Sequence, residues 1–496
     1  MKSTESESGS VTIFLALILC AVVTFLFVLL ESARIHAARA VLNRAAESAM
    51  DSVLSQYQRE LLERYGLLFL DGSFGTGISE PQFVEEEFAL WFEKNRGGPL
   101  VSVFLTDAGL LRMVSATDYS GEIFRDSALR FQRLRREKGM GEQADPAVLP
   151  QECAELLSVL REGETYLSGQ TDPGDSLAGG REETELFRIL QGLQIQKSRP
   201  FSRRFLPEGT ILSGTVLPPE GQPSQEMRDL RHLSAGEHFS GTEALSDAEE
   251  KQLYLSYLLD FFPAFPDGGD GWGLSFEAEY LVCYGNSDTE NLEAFSARLY
   301  PGLLGRNLRT ARGAAGLLSE IDEVIAGYRA EFEEPGVSED PGVLREKLLW
   351  CYAASETELE LRVLFQGGRI PLVKTEGNFV MRRSEIRRLS YGVFPGKETT
   401  DRLYSQSPAF TYRDALRAAL SEIPEEELSY RAMDLVQENL REKNSSFLFC
   451  SLVFEIEMEL RSAAEPLFSN QPLLQNTAHP AVGTALPLKK ISGSYR

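Results

Sequence analysis

Two short runs carry carboxylates at a spacing that could serve chemistry. Glu277 and Glu279 alternate with apolar residues in LSFEAEYLVCY, and Glu455, Glu457 and Glu459 do the same in LFCSLVFEIEMEL. On a β-strand, residues two apart share a face, so each set would form a carboxylate row suited to acid–base work or to calcium. The simpler reading is a solvated sheet face, with Leu274, Phe276, Ala278, Tyr280, Val282 and Tyr284 turned inward. That reading is preferred for both runs. The run DGGDG, Asp267–Gly271, lacks the alternating ligands and closing Glu of an EF-hand and reads as a turn. Gly367-Gly368-Arg369, ahead of Pro371 and Lys374, has the wrong glycine spacing for a phosphate loop. No Gly-x-Ser-x-Gly, His-Glu-x-x-His or dinucleotide fingerprint occurs. The four histidines, His36, His232, His238 and His479, are scattered. No catalytic residue, cofactor or metal site is therefore expected.

Cysteine and charge narrow the classes further. Cys20 lies in an apolar stretch, and Cys153, Cys283, Cys351 and Cys450 form no Cys-x-x-Cys pair, which excludes the usual zinc spacings. Free thiols in the core are the preferred reading of these four, two disulfides in an oxidising compartment the alternative. The net charge is −24, from 74 acidic against 50 basic residues, so a phosphate backbone is repelled and nucleic acid is not an expected partner. Acidity of this kind serves solubility first, and a docking surface for cations or a basic partner second.

The elements that must position these groups begin with Val11–Leu30, VTIFLALILCAVVTFLFVLL, which holds no charge. Twenty such residues in a helix span about 30 Å, one hydrocarbon core. The preceding MKSTESESGS is a poor signal-peptide start and no Ala-x-Ala site follows, so a retained single-pass anchor in a lipid bilayer is expected. Helical spacing continues through Ile35, Ala38, Leu42, Ala46, Met50, Val53, Tyr57, Leu61 and Tyr65, with no proline or glycine before Gly66. One continuous rod from Val11 to Tyr65 is the expectation. Its alanine-rich stripe is read as packing on the chain's own body or on partner helices, with Ile35, Leu42, Ala46, Met50, Val53, Tyr57 and Leu61 as the partner-helix candidates. Arg34, Arg39 and Arg44 follow the span, which taken literally places the body in the cytoplasm, although long domains translocate largely regardless of charge.

The rest reads as an α+β body: 67–149 a first α/β part, 150–200 a helical hairpin, 201–468 the main α+β part and 469–496 a mobile tail. Strands are expected over Leu100–Val114, Thr210–Leu217, Leu274–Tyr284 and Leu448–Leu460, the last two as possible sheet neighbours. Helices are expected over Phe83–Phe92, Phe124–Glu137, Pro150–Leu167, Glu182–Ile195, Leu308–Phe332, Val343–Gln366, Tyr412–Leu420 and Glu425–Lys443. Another starts at the capping box Ser287-Asp288-Thr289-Glu290. The arginines of Phe124–Glu137 are read as pairing internally with carboxylates.

Several segments together resemble a family of membrane-anchored proteins of Gram-positive bacteria known as a domain of unknown function and encoded beside tight-adherence (Tad/Flp) pilus genes. They are GSVTIFLALIL, LLESARI, YGLLFLD, LSFEAEYLVCYGNSDTENL, ETELELRVLFQGGRIPLVK and RAMDLVQENLR. The resemblance implies an N-terminus inside, a body outside and Tad-type pilus or secretion proteins as partners. The start is similar to Tad-type (TadE-like) pseudopilins, in which a prepilin peptidase cuts after a glycine; Gly9-Ser10 corresponds to that site. No basic residue stands directly before Gly9, and the fifth residue after it is Phe14 rather than glutamate, so a permanent anchor is expected. The leading expectation is a non-enzymatic, extracytoplasmic structural or assembly component. An envelope sensor or adhesin and a membrane-tethered hydrolase are the alternatives.

Overall fold

The computed structural model describes residues 5–77, 79–98, 101–140, 148–174, 184–218, 221–225, 247–268, 273–331, 340–389, 391–404, 408–464 and 484–495. The fold is α+β and divides into two compact units, Met1–Asp118 with Asn444–Arg496, and Tyr119–Lys443.

Unit 1 is built on α1 (Glu5–Leu54), followed by α2 (Arg59–Tyr65), β1 (Leu70–Asp71), α3 (Pro81–Asn95), β2 (Gly97–Gly98) and β3 (Val101–Ser115). Strands β4 (Arg369–Pro371) and β5 (Ala409–Thr411) belong to unit 2, and the chain re-enters unit 1 with β6 (Leu452–Ala464), β7 (Thr484–Ala485) and β8 (Lys489–Ser494). From Val11 to Leu30 every side chain of α1 is exposed, and this stretch is long and apolar enough to cross a membrane. Its Thr24 hydroxyl donates back to Cys20 O at 2.7 Å, so no polar group of that side chain is left open in the apolar segment. The same helix then turns one face inward. Ala38, Leu42, Ala45, Ala46, Ala49, Met50 and Val53 are buried against Val84, Phe88 and Phe92 of α3 and against Ile456, Met458 and Leu460 of β6. Alanine is the reason a long helix can lie this close to a sheet: each carries no side chain beyond Cβ to hold the backbones apart.

The rod is shorter than the periodicity predicts. α1 ends at Leu54, Tyr57 forms an isolated bridge with Leu70, and the Gln58 amide donates to Phe69 O at 2.8 Å. Nothing in Ser55-Gln56-Tyr57-Gln58 forbids a helix; pairing with the 69–70 segment takes those backbone groups instead. α2 then ends as expected on Gly66, in the left-handed region at φ 69°, with its amide on Leu62 O.

β6 is the centre of the sheet. It pairs antiparallel with β3 from Val103↔Ala464 to Ser115↔Val453, and with β8 from Glu455↔Ser494 to Leu460↔Lys489. Its alternation is the one read from sequence: Phe454, Ile456, Met458 and Leu460 are buried, and Glu455, Glu457 and Glu459 are half-buried on the other face. The strand starts at Leu452, because Phe449–Ser451 form a single 3-10 turn. The tail is not uniformly mobile: β7 and β8 complete the sheet, with Leu486 and Ile491 in the core. Residues 465–483 lie outside the described residues.

Unit 2 comprises α4 (Glu122–Glu137), α5 (Leu149–Ser168), α6 (Glu185–Lys197), α7 (Phe201–Arg204), α8 (Asp247–Phe261), α9 (Glu277–Cys283), α10 (Asp288–Gly313), α11 (Ala315–Glu331) and α12 (Pro341–Phe365). The small β4–β5 ribbon, α13 (Arg383–Leu389), α14 (Lys397–Tyr404), α15 (Tyr412–Ser421) and α16 (Glu425–Arg441) follow. The capping box is present: Ser287 Oγ accepts from the Glu290 amide, and α10 starts there. α4 pairs its arginines internally, Arg125 with Glu425, Arg130 with Asp126 at 2.7 Å and Arg135 with Asp260 at 3.7 Å. The span Leu308–Phe332 is split between α10 and α11 at Ala314, whose backbone is extended. α5 and α6 do not make the expected hairpin: α5 runs along α10, while α6 packs on α11, α12 and α13. At the α5–α10 crossing, a Cβ on Gly163 would lie 2.0 Å from Gly302 O. Gly163→Ala should therefore push the helices apart and destabilise unit 2 by about 1–3 kcal/mol, read by urea denaturation followed by tryptophan fluorescence. The strand expected over Thr210–Leu217 is reduced to one bridge, Val216↔Ser287. Residues 269–272 of the glycine-rich turn and 175–180 of the α5–α6 connection lie outside the described residues.

The main correction concerns Leu274–Tyr284. It forms the seven-residue helix α9, not a strand, and has no place beside β6. Both Glu277 and Glu279 are buried, at 2% and 0% exposure, rather than solvated. The Glu277 and Ala278 amides donate to Pro263 O, and Tyr284 closes the helix in the left-handed region at φ 55°. Alternation marks a strand only where one face is wet, and here every side of the segment is covered.

Candidate functional site

The buried charge of unit 2 is concentrated on α12. Asp340 caps this helix by accepting from the Gly342 amide, and the segment ETELELRVLF then runs with no wet face. Glu356 and Glu360 are one turn apart, so they project to the same side, while Glu358 projects to another. Lys374, on the chain leaving β4, donates to both Glu356 and Glu360, the latter at 2.8 Å, and all three side chains are fully buried. Glu356 also accepts from the Val380 and Met381 amides at 3.0 and 2.7 Å and from the Tyr404 hydroxyl at 3.0 Å. Glu360 also accepts from Arg306 at 2.7 Å and Asn307 at 2.8 Å. Burial alone would raise the Glu360 pKa, but Arg306 and Lys374 outweigh it and hold the carboxyl below its ordinary range. Two carboxylates against one ammonium and one guanidinium leave a neutral, closed cluster. Its chemistry is cohesion: it fastens the segment after β4 to the core helix.

Glu358 is paired on its other side by Arg204 of α7, at 2.6 Å. Its second oxygen has no hydrogen-bond partner among the described residues, and burial raises its pKa against the pull of Arg204. Glu279 is more isolated. It accepts from the Phe265 amide at 2.9 Å and the Tyr412 hydroxyl at 2.7 Å, and among the described residues its other oxygen has no partner and no cation is bonded to it. Phe265, Phe276, Phe295, Phe365 and Tyr412 stack around one another, with ring centroids 4.8–5.3 Å apart in this cluster. Burial there pushes the Glu279 carboxyl up to about 7. Asp434 of α16, held by the Ser224 amide and the Tyr280 hydroxyl at 2.9 Å each, is likewise pushed by burial up to about 6.

A cavity of about 620 Å³ lies beside α7, α10 and α12, with Lys197, Arg204, Asp172 and Glu293 as its charged lining and Tyr300 and Trp350 among its rings. Its charges balance, and Glu279, Glu356, Glu358 and Glu360 do not line it. Among the described residues, no three His, Cys, Asp or Glu side chains converge as metal ligands. Two of the three β6 glutamates face basic residues across the sheet, Glu457 opposite Arg112 and Glu459 opposite Lys490, as on a charge-paired face.

The residues singled out in sequence go to different places. Leu42, Ala46, Met50 and Val53 are in the unit 1 core, Ile35 packs at its margin, Leu61 is buried on α2 and Tyr57 is 37% exposed at the chain break. The stripe is thus covered by the chain's own sheet and α3. Gly9 and Ser10 lie within α1. None of Cys153, Cys283, Cys351 and Cys450 is in a disulfide; Cys153 and Cys351 are buried, Cys283 is partly so, and Cys450 is exposed. The α12 cluster went unread, although a signal existed: a long helix carrying glutamates without a polar face must bury them.

The model of a family of unknown function (DUF5702) matches residues 179–464. No curated protein and no solved structure matches the chain. The match spans more than half of the sequence and takes in the α12 cluster and the central strand β6, and on that basis the chain belongs to the DUF5702 family.

Proposed function

We propose that this protein is a single-pass, membrane-anchored, non-enzymatic component of a Tad-like pilus or secretion apparatus, with its N-terminus inside and its two units outside the cell membrane. The observation that carries this reading is α1. One helix is apolar and exposed on every side over Val11–Leu30 and continues, without a break, into the core of an antiparallel-sheet unit. An amphipathic half gripped by a sheet and an apolar half left bare is the arrangement a pilin-like subunit needs to sit in lipid before assembly. The closed partnering of Glu356 and Glu360 with Lys374 and Arg306 gives these two glutamates a cohesive role within unit 2.

Protease treatment of intact cells with permeable walls should degrade both units and leave a short fragment containing Val11–Leu30. Full protection would overturn the outside assignment. In-cell crosslinking of the tagged full chain should recover Tad-type pilus or secretion proteins. Recovery of none of them, with the protein in the membrane and intact, would overturn the pilus role while leaving the anchor standing.

A further inference from the structure

The protein's charge is −24, and among the described residues many arginines pair with carboxylates, as Arg125 and Arg130 do on α4. One place breaks that pattern. Around a cavity of about 380 Å³, α7 and the chain flanking it bring Arg199 and Arg203 together with Arg362 from α12. Among the described residues, no carboxylate forms an ion pair with any of the three. Glu208 is the single acidic residue in the lining, so three guanidinium groups against one carboxylate leave a local excess of two positive charges. Arg362 is half-buried, lies over the Phe394 ring at 4.5 Å and gives one long hydrogen bond, 3.4 Å, to Arg204 O. Burial lowers its pKa, and the charge of Arg199 adds to that against the opposing pull of Glu208. Arg199 in turn approaches Gly392 so closely that a Cβ there would lie 3.1 Å from its guanidinium.

Like charges gathered in a recess cost free energy unless something of opposite sign occupies it. Planar guanidinium forks suit tetrahedral oxyanions, and an excess of two charges suits a dianion. Phe394 and Leu212 give the same recess an apolar wall for an organic substituent. We propose that the Arg199–Arg203–Arg362 cavity binds a small phosphate monoester, free in solution or displayed as a headgroup. The assignment is independent of the pilus reading, since it rests on unit 2 alone.

The test is calorimetric titration of the full chain in neutral detergent with inorganic phosphate and with glycerol 1-phosphate. Saturable binding is expected, with the ester the tighter ligand. Arg203→Gln and Arg199→Gln should each weaken it at least about tenfold. Arg203→Lys should retain part of the affinity, and Arg59→Gln, on α2 in unit 1, should leave it unchanged. Arg203 is exposed, so its variants keep the fold, which circular dichroism checks. Repeating the titration in phosphatidic acid against phosphatidylcholine nanodiscs separates the sources, because phosphatidic acid displays its phosphate as a monoester. Loss of glycerol phosphate binding only in phosphatidic acid indicates a lipid headgroup as occupant, and equal binding in both indicates a soluble ester. No saturable heat up to about 10 mM ligand, weaker than any useful affinity, would overturn the proposal. So would equal affinities in wild type and the Arg199→Gln/Arg203→Gln double variant.

Discussion

Lys374→Met should lower the stability of unit 2 by about 3–5 kcal/mol at pH 7, the cost of leaving a buried carboxylate without its cation. The ammonium is fully buried and serves two carboxylates at once, so methionine fills the space and removes the charge from both. Glu360 keeps Arg306 and Asn307. Glu356 keeps only neutral donors: two amides and the Tyr404 hydroxyl. The damage should therefore fall on Glu356. The double variant Lys374→Met/Glu356→Gln should recover more than half of the loss, whereas Lys374→Met/Glu358→Gln should recover none. Urea denaturation of the full chain in neutral detergent measures each. Equal stability of Lys374→Met and wild type would mean that the cluster is not cohesive.

The second large effect is a pH dependence. The Glu279 carboxyl is held up to about 7 by burial, against an ordinary value of 4.5. Between those values the folded state binds a proton that the unfolded chain has released. The stability linked to that proton is present below the unfolded pKa and is lost as pH rises through about 7. A difference of this size corresponds to about 3 kcal/mol. Glu279→Gln mimics the protonated form, so it should be near wild type or slightly less stable at pH 5 and more stable at pH 8.5. The gap between the two should swing by about 3 kcal/mol across that range. Tyr412 from α15 bonds to the carboxyl, and Cys283 and Asp288 lie near it; none of them supplies a positive charge. Asp434, raised to about 6, contributes in the same direction, so the variant keeps a residual slope that Asp434→Asn should reduce. Parallel pH profiles for Glu279→Gln and wild type would refute the assignment.

The contrast between the two glutamate runs explains how far this fold could be read from the chain. FEIEMEL and FEAEYLV have nearly the same pattern. The first is the middle of β6, with its glutamates beside Arg112 and Lys490 on a partly open face. The second is α9, whose glutamates are enclosed by Asn439, Phe265 and Tyr412. A seven-residue run is compatible with either period, and the choice depends on neighbours far away in sequence. The α12 cluster shows the same limit. Its glutamates are visible in ETELELRVLF, but their partners Lys374, Arg306, Asn307 and Tyr404 come from three other parts of the chain.

What the sequence by itself determined are the features that depend on local chemistry. They are the uncharged stretch Val11–Leu30, the alanine face of the helix after it, the capping box at Ser287, the glycine stop at Gly66 and the internal pairing of the α4 arginines. Only the tertiary structure decided where α1 ends, because the backbone groups at Tyr57 and Gln58 are taken by Leu70 and Phe69. It also decided that β8 returns from the far end of the chain to cover α1, and that three arginines share one recess with a single carboxylate, Glu208. Local propensity acts over a turn or two of helix, whereas burial, strand pairing and the gathering of charge depend on which distant segments arrive.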